Sequence, residues 1–74
     1  MNFANVEDAY CMFADCQNLT FAKIHCWNVT NGIGMFSNDI KLNTVDSRFD
    51  NLTFGRNMFY NCAALTGVYD SSGG

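Results

Sequence analysis

A chain of 74 residues holds one domain at most, and one this short buries a smaller share of its surface than a typical domain does. Hydrophobic residues at 49% and aromatics at 15% exclude a disordered chain, while 4 Lys+Arg against 7 Asp+Glu give a net charge of −3 that opposes phosphate backbones and anionic lipid surfaces. No run approaches about 18 consecutive apolar residues and the first residues lack the basic start of a secretory signal, so neither membrane insertion nor nucleic-acid binding is expected, and the chain reads as a mature or cut fragment or as one exported by another route.

Self-comparison finds a repeat. Met-Phe stands at Met12-Phe13, Met35-Phe36 and Met58-Phe59, each step being 23 residues. In the same phase Leu19, Leu42 and Leu65 align, as do Val6, Val29 and Leu52, then Asn5, Asn28 and Asn51, then Phe3, Cys26 and Phe49, then Ala22, Val45 and Val68. The expected organisation is a single repeat domain over residues 1–70, with units at about 3–25, 26–48 and 49–70, followed by a flexible tail at 71–74.

In chain order, each unit first presents apolar residues at helical spacing: Val6, Tyr10 and Phe13 sit at i, i+4 and i+7, as do Val29, Ile33 and Phe36. Asn5, Asn28 and Asn51 precede this stretch as candidate N-caps. The spacing predicts a short helix in each unit, although Arg56 interrupts the apolar face in the third. A turn follows, and then Leu19-x-x-Ala22-x-Ile24, the spacing that leucine-rich repeats use for a strand. Leu42 with Val45 and Leu65 with Val68 repeat its first two positions, with Ser47 and Asp70 at the third. The expected fold class is α/β: a short leucine-rich-repeat-type solenoid of three coils, with a parallel row of strands about five residues long and short helical segments. Val6, Phe13, Leu19, Val29, Phe36, Leu42, Leu52, Phe59 and Leu65 are its expected core.

The string Met-Phe-x-x-Cys-x-x-Leu-Thr at Met12–Thr20 and again at Met58–Thr66, together with Trp27-Asn28-Val29-Thr30-Asn31 leading into Met35-Phe36, resembles the BspA-like leucine-rich repeats of bacterial, mycoplasmal and protozoan surface proteins. The resemblance implies a cell-surface setting and the leucine-rich architecture, and it runs through core and turn positions over nearly the whole chain. Asp39 departs from it where Cys16 and Cys62 stand. Members of that family carry many more repeats, with leaders and caps not found in this sequence, and open ends would expose apolar core and strand edges.

Chemistry-bearing residues are sparse. Cys16 and Cys62 lie two units apart, about 9.6 Å at strand spacing, beyond disulfide reach. Cys26 shares a column with Phe3 and Phe49, which makes it a core residue, and Cys11 shares one with Gly34 and Asn57, a tolerant column expected at the surface. His25 and Cys26 are adjacent in a strand and point to opposite faces, and no Cys-x-x-Cys pair exists, so no metal or other cofactor is expected. His25 is the single histidine and lacks a residue to orient it, which leaves a Cys-His nucleophile pair, and any catalytic residue, without support. Asn18-Leu19-Thr20, Asn28-Val29-Thr30 and Asn51-Leu52-Thr53 are glycosylation acceptor strings, but two fall in one repeat column, where capping or backbone bonding already accounts for the Asn.

What varies between units is the outward side of the strand row: Phe21, Lys23 and His25, then Thr44, Asp46 and Arg48, then Gly67 and Tyr69. Phe21, Lys23, His25, Thr44, Asp46, Arg48 and Tyr69 form the expected binding face, with Lys23 against Asp46. A non-catalytic module displayed on a cell surface or in the extracellular space, binding a protein or glycan, is the expectation from this pattern. Its rival is a structural brick that stacks with further copies of itself, or as part of a larger chain, in a virion, sheath or fibre.

Overall fold

The computed structural model describes residue 3, residues 5–69 and residue 71. Three strands form one parallel sheet in chain order: β1 (Phe21–Lys23), β2 (Thr44–Asp46) and β3 (Gly67–Tyr69). The register places Ala22 beside Val45 and Val45 beside Val68, so each residue of a strand neighbours the residue 23 positions later. Isolated parallel bridges join Asp8 to Asn31 and Asn31 to Phe54 on another side of the units. Each strand has three residues rather than the expected five.

No helix forms among the described residues, which overturns the α/β class and the helical segments expected of it. The reason lies in where the backbone N–H groups go. Ala9, Cys11, Phe13 and Asp15 donate along the stack to the carbonyls of Asn31, Ile33, Met35 and Ser37 in the next unit. Gly32, Gly34, Phe36 and Asn38 donate likewise to Phe54, Arg56, Met58 and Tyr60. Between them Met12, Ala14, Met35, Ser37, Met58 and Tyr60 close turns back to the residue three positions earlier. Alternate N–H groups thus leave the unit, whereas an α-helix needs every one for its own i−4 carbonyl.

Left-handed backbone makes that alternation possible. Cys11, Gly34 and Asn57 have φ of 51°, 63° and 54°, and four residues on Asp15, Asn38 and Asn61 have φ of 61°, 64° and 58°. Gly, Asn and Asp tolerate this region better than other residues do. The Cys11 column is therefore constrained rather than tolerant. The apolar face that the i, i+4, i+7 spacing would give a helix does not form: Val6 and Phe13 are half-buried, but Tyr10 is 61% exposed and Ala9 is buried beside it.

The core lies between the units and centres on the second. Val29, Phe36, Leu42 and Val45 are completely buried, while Val6, Phe13, Leu19, Leu52, Phe59 and Leu65 are half-buried against them. Phe13, Phe36 and Phe59 stack ring on ring, with centroids 5.6 and 5.5 Å apart and planes within 14° and 3° of parallel. Met35 and Met58 are buried, and Met12 is partly exposed. Asp39 belongs to this core: its Oδ1 accepts the Cys16 N–H at 2.7 Å, so the carboxylate ties the second unit to the first.

Candidate functional site

Strand alternation sends Phe21 and Lys23 outward and Ala22 inward, and the register sets Phe21 beside Thr44 and Thr44 beside Gly67. Lys23 neighbours Asp46, which neighbours Tyr69. The Tyr69 side chain lies outside the described residues. Phe21 is 48% exposed, Lys23 is exposed, and Thr44, His25 and Arg48 are half-buried.

Asp46 departs from the expected open face, being only 5% exposed. Ser71 covers it, donating its backbone N–H to Oδ1 at 2.9 Å and its hydroxyl to Oδ2 at 2.6 Å. Lys23 stands beside Asp46 in the register as expected, but among the described residues the carboxylate's close partners are on Ser71 and no Lys23–Asp46 ion pair forms. The Ser71 hydroxyl, then its N–H, hold the carboxyl below the usual range against the opposing effect of burial, with the charges of Lys23 and His25 adding to them.

An aromatic and cationic cluster continues the same face. Two positions beyond His25, Trp27 stacks on the imidazole at 5.2 Å, and the Arg48 guanidinium lies 5.8 Å from the indole centroid. Arg48 also pairs with Asp50. Trp27 keeps 37% of its surface exposed although it is the largest side chain in the molecule. Sequence reasoning missed Trp27 and Asp50 as face residues, yet the alternation Phe21, Lys23, His25, Trp27 carried the signal once extended past the strand.

A second concavity, a groove of about 450 Å³, is lined by Asn5, Glu7, Asn28, Thr30, Asn51 and Thr53. The Asn residues occupy turns rather than helix N-caps, with Val6, Val29 and Leu52 each donating N–H to the carbonyl three positions back. Asn51 uses its amide to donate to the Trp27 carbonyl at 2.7 Å, a bond between units. Thr30 donates its hydroxyl to the Glu7 carbonyl at 3.2 Å. The acceptor strings in this column are thus part of the inter-unit framework.

All four cysteines are free thiols, and burial raises the pKa of Cys16, Cys26 and Cys62. Among the described residues no group of three or more His, Cys, Asp or Glu side chains converges as a metal would require, and no helix is long and apolar enough to cross a membrane. Compared with known proteins, the chain matches no family model, no curated protein and no solved structure.

Proposed function

We propose that this chain is a non-catalytic interaction module, displayed at a cell surface or in the extracellular space, that binds a protein or glycan through the outward side of its strand row. One observation carries the reading. Phe21 and Trp27 hold large apolar surface in solvent at the two ends of the alternation Phe21, Lys23, His25, Trp27 that begins in β1, with Arg48 and Asp50 beside it. Core formation does not require an exposed aromatic there, and aromatic residues with Arg are the types that anchor interfaces. The BspA-like resemblance supports the surface setting, and the net charge of −3 supports leaving nucleic acid out of the partner classes.

The test is retention of the chain on immobilised glycans and on intact cells, compared with a Phe21→Ala, Trp27→Ala double variant. Affinity should fall by about tenfold or more, a loss of about 1.4 kcal/mol, with the circular dichroism spectrum unchanged. Equal retention by a folded variant puts the interface elsewhere.

The second reading is a structural brick of a larger assembly such as a virion, sheath or fibre. It is favoured by the half-buried core columns on the outer sides of the first and third units.

A further inference from the structure

The backbone of the stack has a direction, and that direction specifies what fits on its outer faces. Over one segment of the turn side, alternate N–H groups of each unit donate to carbonyls of the unit that follows: 9, 11, 13 and 15 to 31, 33, 35 and 37, and then 32, 34, 36 and 38 to 54, 56, 58 and 60; just before it Thr30 and Asn31 donate back to Glu7, and Thr53 and Phe54 back to Thr30. On the third unit the equivalent N–H groups, those of Gly55, Asn57, Phe59 and Asn61, have no acceptor among the described residues. On the first unit the carbonyls of Asp8, Tyr10, Met12 and Ala14 have no donor there. Along this segment, therefore, the outer face of the third unit presents a row of four donors and that of the first unit a row of four acceptors at the same spacing.

We propose that the third unit of one copy docks the first unit of a second copy, head to tail, continuing the internal stack. This rests on the structural-brick reading and specifies its geometry. Two third-unit faces would set donor against donor, and two first-unit faces acceptor against acceptor, so a two-fold dimer forfeits these bonds. A head-to-tail contact satisfies both rows. It also places Phe59 over the partner's Phe13 as Phe36 lies over Phe13 within the chain, and covers the half-buried Leu52 and Leu65. The first unit offers a small apolar notch of about 60 Å³ between Phe13, Leu19, Phe21 and Ile24. A head-to-tail contact that does not close on itself leaves a free face after each addition, so assembly grows without a preferred end point.

The experiment follows the weight-average mass of the 74-residue chain by sedimentation over a wide concentration range, with amide hydrogen exchange on the same samples. Mass should rise continuously past twice the monomer, and exchange at Gly55, Asn57, Phe59 and Asn61 should slow by about tenfold or more as copies associate. A mass that stops at twice the monomer, or growth in which those four amides stay fast, overturns the head-to-tail geometry while leaving self-association standing. A monomer at every concentration overturns the brick reading as well.

Discussion

Asp39 holds Cys16 across one step of the stack: its Oδ1 accepts the Cys16 N–H at 2.7 Å while its Oδ2 is buried without a partner among the described residues. The carboxylate thus does structural work with one oxygen and leaves the other stranded. Asp39→Asn keeps the carbonyl acceptor and removes the buried charge, so it should raise the melting temperature near neutral pH. Asp39→Ala strands the Cys16 N–H instead and should cost about 1 to 3 kcal/mol. Thermal denaturation of both variants checks the opposite signs.

The two buried aspartates should make stability depend on pH in opposite directions. Burial chiefly raises the Asp39 pKa, so its contribution is complete below the ordinary carboxylate value of about 3.9 and is lost as pH rises through the raised folded value. Ser71 chiefly lowers the Asp46 pKa, so its contribution is present above about 3.9 and is lost as pH falls through the lowered value. Melting temperatures measured from about pH 3 to pH 7 should lose part of their decline on the alkaline side in Asp39→Asn and part of their decline on the acid side in Asp46→Asn.

The phenylalanine stack should be unequal in its energetics. Phe36 is fully buried between two rings, and Phe13 and Phe59 are half-buried. Phe36→Ala should cost about 3 to 5 kcal/mol, the usual range for emptying a buried aromatic site, and Phe13→Ala or Phe59→Ala should cost less. Urea denaturation of the three variants gives the ranking, and equal costs would show that the second unit is not the centre of the core.

Glycine substitutions separate the left-handed column from the sheet. At Gly34, φ is 63° and an added Cβ would meet the Cys11 sulfur at 3.0 Å. Gly34→Ala should cost about 1 to 2 kcal/mol or more from the backbone alone. At Gly67 an added Cβ meets nothing within 4 Å, so Gly67→Ala should be neutral or stabilising. Thermal melts should place the Gly34 variant below the parent chain and the Gly67 variant level with it or above it.

The parallel register is legible in the repeat itself, because Ala22, Val45 and Val68 stand in one column and are neighbours in the sheet. The turn side was misread because Val6, Tyr10 and Phe13 satisfy a helical period in sequence, whereas the left-handed turns bury Ala9 and leave Tyr10 exposed. Gly34, Asn38, Asn57 and Asn61, spaced four apart within each unit, were the signal that separates these readings, and Cys11 obscured it in the first unit. Burial of Asp46 was not legible either, since it depends on Ser71, which strand periodicity does not place. Trp27 was visible by alternation, but its contacts with His25 and Arg48 arise between units as well as within one.

The most direct test of the stacked-unit account is scalar coupling through backbone hydrogen bonds in a uniformly labelled sample. The Cys11 amide nitrogen should couple to the Ile33 carbonyl carbon, and that of Gly34 to the Arg56 carbonyl carbon, across bonds that are 3.0 Å in both cases. Couplings from Phe13 to Ala9 and from Phe36 to Gly32 would instead mark helices in each unit and contradict the account.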